Sequence, residues 1–135
     1  MLLFAAYRPT WFNEEVSNAS LGLRAMRLCL DGDCRAESIA AISGDASWAR
    51  TGMATFASSL LAAALAVTLA GALAAGRTPR FLGRITIVAA VTSAVAGAIF
   101  VLQFPGFGGA ALGAAAWLHF AGAVAIALGW GLQRV

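Results

Sequence analysis

Two cysteines and one histidine are the groups in this chain best suited to chemistry, and they stand in very different company. Cys29 and Cys34 enclose the stretch CLDGDC, whereas His119 lies inside the uncharged run from Ile85 to Gly131. A cysteine pair can cycle between thiol and disulfide, share a metal ion, or staple a turn. Asp31-Gly32 favours the staple, because a two-residue type I′ turn needs positive φ at both central positions. With Leu30 and Asp33 closing the turn, Cys29 faces Cys34 in a non-hydrogen-bonded pair, Cα atoms about 4.5 Å apart. That separation is short for a disulfide but feasible. The preceding LGLRAMRLCL supplies the first strand. A thiol–disulfide carrier is the rival reading, although such chains use a second pair and the tighter C-x-x-C spacing. A metal site needs ligands beyond two thiolates, so none is expected.

His119 is the only ionisable side chain within the long apolar runs. An ionisable group at membrane depth is a functional candidate by default. Its plainer role is a hydrogen bond, in the neutral form, to a neighbouring helix. The alternative is a single axial ligand to a haem or a chlorin. No cofactor is expected otherwise. No carboxylate pair, nucleophile–base constellation or phosphate loop lies where catalysis could use it, so no enzymatic activity is expected.

The elements that must position these groups are apolar to an unusual degree. Hydrophobic residues make up 61% of the chain and charged residues 11%, against about 45–50% and about 25% in soluble domains. A helix needs about 20 apolar residues to cross a bilayer. Three spans are predicted: Thr51–Ala75, Arg84–Phe104 and Ala110–Gln133. Pro9, Pro79 and Pro105 all fall outside them, as helix-breaking residues should. Residues 76–83 form a basic loop and residues 105–109 a turn, while Trp48, Trp117 and Trp130 mark span ends. Every acidic residue precedes the first span; after it the only charges are Arg77, Arg80, Arg84 and Arg134. The positive-inside rule then places the basic loop and the C-terminus in the cytoplasm, and residues 9–50 outside. The net charge of +3 reflects this orientation rather than nucleic-acid binding. The lack of lysine beside abundant Ala, Gly and Arg points to a bacterial inner membrane. Residues 1–8, apolar but too short to cross, read as the outer end of a first helix that begins upstream. Residues Ala36–Ile42 carry Ile39 and Ile42 at helical spacing and predict a short surface helix, with Asp45 or Ser47 capping the next.

One order of features runs through this region: an apolar helix end, Trp11, Gly22-Leu23, a strand, Cys29 and Cys34, a short helix, then Ala49-Arg50 entering a small-residue-rich span. It resembles the claudin and PMP22-like superfamily, whose first outer loop carries a W…GLW…C…C signature. Arg24 stands where the second tryptophan of that signature falls. The resemblance implies three helices of a four-helix membrane bundle beneath a small disulfide-bonded outer sheet. Trp11, Gly22, Leu23, Cys29 and Cys34 would form the scaffold of that loop.

Small residues recur at every fourth position. Ala54, Ser58, Ala62, Ala66, Ala70 and Ala74 do so on the first span, Ala89, Ser93 and Gly97 on the second, and Gly109-Gly113 with Ala121, Ala125 and Gly129 on the third. Such stripes allow the close backbone approach that drives helix packing in lipid. Phe56, Leu60, Leu65, Phe81, Phe100 and Leu128 are then expected to face lipid or a partner. The expected protein is an all-α membrane bundle without catalysis, working by packing and recognition. Trp11, Phe12, Leu21 and Leu23 would be the apolar anchors of the outer loop. Expected partners are copies of itself, other membrane subunits and the bilayer, with no nucleic acid. The alternatives are an accessory subunit of a respiratory or photosynthetic complex, and the thiol–disulfide carrier.

Overall fold

A computed structural model describes residues 11–14, 19–30, 33–38, 46–104 and 111–132. The described residues are mostly helical. Four short strands come first: β1 (Phe12–Glu14), β2 (Ala19–Leu21), β3 (Ala25–Leu30) and β4 (Asp33–Ser38). Helices α1 (Ala46–Ala74) and α2 (Arg80–Leu102) follow, then β5 (Ala111–Leu112) and α3 (Ala114–Leu132).

Helix α1 has 29 residues and α2 has 23, and both are long and apolar enough to cross a membrane. The reversal between them has a local cause. Gly76 adopts φ +72°, its N–H bonds Leu73 O at 2.9 Å, and the Arg77 N–H bonds Ala72 O at 2.9 Å. This pair of bonds is the Schellman motif, which satisfies the last carbonyls of α1 and needs a residue that tolerates positive φ. Pro79 then caps α2, where its missing N–H costs nothing. Helix α3, where the third span was expected, is apolar with 19 residues as described, and a third crossing is not shown. Ala111 and Leu112, assigned to that span as part of its apolar run, instead pair with β1.

The strands form one antiparallel sheet, ordered β4-β3-β2-β1-β5. The β3–β4 hairpin keeps the anticipated register, Cys29 opposite Cys34 and Leu30 opposite Asp33. Its two turn residues lie outside the described set. Two features differ from expectation. Residues Ala36–Ser38 are strand, not the start of a helix, because they pair with Arg27, Met26 and Ala25; residues 39–45 are outside the described set. Ser47 lies within α1 and so does not cap it. The strand foreseen before the cysteines also breaks at Gly22, whose N–H bonds Ala25 O at 3.0 Å and turns β2 into β3.

The sheet draws its strands from both sides of the α1–α2 hairpin. Phe12 pairs with Leu21 on one side and Leu112 on the other. Trp11 continues the ladder, donating to Leu21 O at 2.8 Å and accepting from the Gly113 N–H at 2.7 Å. Underneath lies the larger core, built of Trp11, Leu21, Leu23, Trp48, Phe100, Ala115 and Ala116. A smaller cluster of Ala62, Ala63 and Ala89 fills the α1–α2 contact further along.

Candidate functional site

Helix α2 lies between α1 and α3, and each helix contributes one polar side chain to a buried centre. Ser59 comes from α1, Ser93 from α2 and His119 from α3; all three have no exposed surface. His119 Nε2 is 3.1 Å from the Ser93 carbonyl oxygen. A carbonyl only accepts, so Nε2 carries the ring proton and Nδ1 of the neutral ring is the acceptor. Nδ1 faces Ser59 Oγ at 3.4 Å, and the Ser59 and Ser93 hydroxyls are 3.1 Å apart. Ser59 also lies 2.6 Å from Thr55 O, one turn back in its own helix. The sequence separations of 60 and 26 residues hid this arrangement.

A serine hydroxyl beside an oriented imidazole has the outline of a nucleophile and its base. Here it is sealed. The Trp11 ring sits on His119 at 5.1 Å between centroids and meets Phe100 edge-on at 5.6 Å. Gly97 packs closely on the ring as well, since a β-carbon there would lie 2.8 Å from Nε2. Nε2 donates to Ser93 O, Nδ1 faces the Ser59 hydroxyl, and the ring has no exposed surface, so this arrangement leaves a haem or chlorin no approach to it. What the arrangement can do is join three helices: each polar group finds its partner on another helix or in its own preceding turn, and none is left facing hydrocarbon.

A second set of aromatic contacts fastens the sheet to the helices. The Trp48 and Phe100 rings stack 5.1 Å apart at 5°, and Trp48 Nε1 donates to Phe100 O at 3.0 Å. A β-carbon at Gly52 would overlap the Leu23 carbonyl, so the Gly22–Leu23 turn rests directly on α1. Arg24 follows it, with its guanidinium 5.0 Å from the Phe56 ring centre.

These placements revise several sequence expectations. Trp11, Leu21 and Leu23 were expected as outward anchors, but they are 0%, 5% and 1% exposed and cannot meet a partner. Phe12 lies in β1 and its side chain is outside the described set. Gly22 is buried. Phe100, expected to face lipid, is fully buried against Trp48 and Trp11. Trp48 and Trp130 are also buried, leaving Trp117 as the exposed indole among the described tryptophans. On α1 the buried line runs through Gly52, Thr55, Ser59, Ala62 and Ala63; Ala66 is half-buried, and Ala54, Ala70 and Ala74 are exposed. A strict four-residue stripe advances about 40° per step on a helix of 3.6 residues per turn, so it winds off the interface. On α2 the stripe Ala89, Ser93, Gly97 is short enough to stay buried. On α3 Gly113 is buried at the entry, but Ala121, Ala125 and Gly129 are exposed and Ala115, Ala116 and Ala123 lie inward.

Cys29 and Cys34 form a disulfide with Cα atoms 4.1 Å apart, on a hairpin whose β4 residues are all exposed. Among the described residues no three His, Cys, Asp or Glu side chains gather as a metal site. No family model, curated protein or solved structure matches this chain.

Proposed function

We propose that this chain is a non-catalytic integral membrane protein of the bacterial inner membrane, built on a claudin/PMP22-like plan and acting by contact with neighbouring membrane proteins. The observation that carries this reading is the seat of Trp11. It extends β1, the strand that joins segments from before α1 and after α2 into one sheet, and its ring packs on His119 at the polar centre of the helices. Trp11 thus ties the sheet to the helices, so an outer contact and an intramembrane contact are made by one connected structure. With Trp11, Leu21 and Leu23 turned inward, the outer contact surface is the exposed face of the β3–β4 hairpin. Sealing of Ser59 and His119 favours a structural over a catalytic role. Large apolar side chains such as Val67, Phe81, Val88 and Leu102 point outward from α1 and α2, suited to lipid or to a partner helix. In this plan α3 is a further crossing.

Native electrophoresis of mildly solubilised membranes tests the proposal. The expected result is a species larger than one chain, composed of copies of it or of other membrane subunits. Comigration with a respiratory or photosynthetic complex would make it an accessory subunit. A monomer whose oxidant activity depends on Cys29 and Cys34 would sink the contact role in favour of the carrier.

A further inference from the structure

We propose that the outer edge of β4 pairs antiparallel with β4 of a second copy of this chain, about a two-fold axis at Ala36, so that Arg35 of each copy faces Glu37 of the other. The inference rests on the contact reading above and names the partner of its outer surface. Among the described residues β4 is the outermost strand on its side of the sheet, and all six of its residues are exposed. Proteins guard such an edge with proline, a bulge or charge, because its outward N–H and C=O groups template a further strand. Residues 33–38 contain no proline, and their pairing with β3 runs from Asp33 to Ser38 without a bulge. Charge remains, and here it is of mixed sign.

Register decides what those charges do. Cys29 and Cys34 have Cα atoms 4.1 Å apart, close to the spacing of a non-hydrogen-bonded pair. The two kinds of pair alternate along a ladder, so Asp33, Arg35 and Glu37 turn their backbone groups to β3, while Cys34 and Ala36 turn theirs to the outer edge. A second β4 can bond there only through the same alternate residues, which leaves few two-fold registers. An axis at Ala36 overlaps residues 34–38 and sets Arg35 against Glu37 twice. An axis at Arg35 overlaps 33–37, but sets Arg35 against itself and Asp33 against Glu37 twice. An axis at Glu37 sets that residue against itself, and one at Cys34 joins Asp33 to Arg35 over the short overlap 33–35. Facing opposite charges stabilise a strand pair and facing like charges weaken it. The Ala36 axis therefore combines the long overlap with favourable signs. Its charged pairs are of the non-hydrogen-bonded kind, Cα atoms about 4.5 Å apart, which brings their side chains closest. Strand β4 is thus complementary to itself read backwards, as a closed two-fold contact requires, and this self-match selects a second copy over a strand of other sequence.

The composition supplies the test, because the chain contains no lysine. Arg35→Lys keeps the charge and introduces the sole side-chain amine. A carbodiimide joins an amine to a carboxylate in direct contact, with no spacer. Applied to mildly solubilised membranes, it is expected to convert this variant to a covalent dimer on denaturing electrophoresis. The parent chain should give none, and Glu37→Gln added to Arg35→Lys should remove it. Arg35→Glu leaves like charges facing in every register above, and on native electrophoresis it should weaken the dimer about tenfold or more. Adding Glu37→Arg restores opposite signs on the Ala36 axis and should restore the dimer, which also shows that the hairpin still folds. A parent oligomer that Arg35→Glu does not weaken, or coupling that survives Glu37→Gln, would overturn this edge and leave the contact reading standing. So would an assembly of other subunits with one copy of this chain. A parent chain that runs as a monomer would instead remove the contact reading, and the edge with it.

Discussion

At the scale of single residues, the polar centre shows how little chemistry a helix bundle needs in order to be specific. Ser59, Ser93 and His119 satisfy one another, and their neighbours leave no slack. Gly97 and Gly71 make the point as a pair. A β-carbon at Gly97 would lie 2.8 Å from His119 Nε2 and 3.4 Å from the Trp11 ring, pressing on an imidazole held by Ser93 O, whereas one at Gly71 meets nothing within 4 Å. Gly97→Ala is therefore expected to destabilise by about 1–3 kcal/mol through overpacking. Gly71→Ala should be neutral or stabilising by up to about 1 kcal/mol from helix propensity. Thermal unfolding in one detergent, read on both variants, checks the contrast; equal shifts would show that His119 is free to move aside. The histidine itself was visible in the sequence as the odd polar group in an apolar run. Its partners were not, because serine at small-residue spacing reads as packing material until the helices are brought together.

At the scale of elements, the hairpin was the most legible feature and the surface helix the least. Asp-Gly between two short alternating runs carries its register with it, since the turn decides which residues face each other. Residues 36–38 were misread for the opposite reason. The helical spacing rested on Ile39 and Ile42, outside the described residues, whereas β3 gives the backbone of 36–38 a ladder partner. The Cys29–Cys34 bond closes a loop too small for much entropic gain, so its effect should be local. Replacing both cysteines by serine is expected to speed amide exchange in β4 many-fold. Exchange in the centre of α1 and α2 should stay slow. If α1 and α2 lose protection together with β4, the disulfide supports the whole molecule and the hairpin is no separate unit.

At the scale of the whole molecule, the two ends differ in kind. One end carries the sheet, the disulfide and the stacked aromatics; the other carries the Schellman turn and three exposed arginines. On the proposed membrane reading, the positive-inside rule would keep the arginine end in the cytoplasm. Cys29 and Cys34 should then react, after mild reduction of intact cells, with a thiol reagent that cannot cross membranes. In a Thr78→Cys variant lacking the native pair, labelling should require lysis. The reverse pattern would invert the topology and place the disulfide in a reducing compartment, where it would not persist.

The sequence by itself determined what is local or compositional: two long apolar helices, a basic break between them, read as 76–83 although the helix resumes at Arg80, and the cysteine hairpin with its register. Each follows from neighbours a few residues apart, or from a sum over many residues that no single contact can alter. Only the tertiary structure decided which faces turn inward. It buried Trp11, Leu23 and Phe100 instead of presenting them, took Ala111–Leu112 from the third helix for the sheet, and set two serines against His119. The physical reason is that burial depends on where the other helices lie. A four-residue stripe or an exposed-looking tryptophan has no inside until a second surface arrives to give it one.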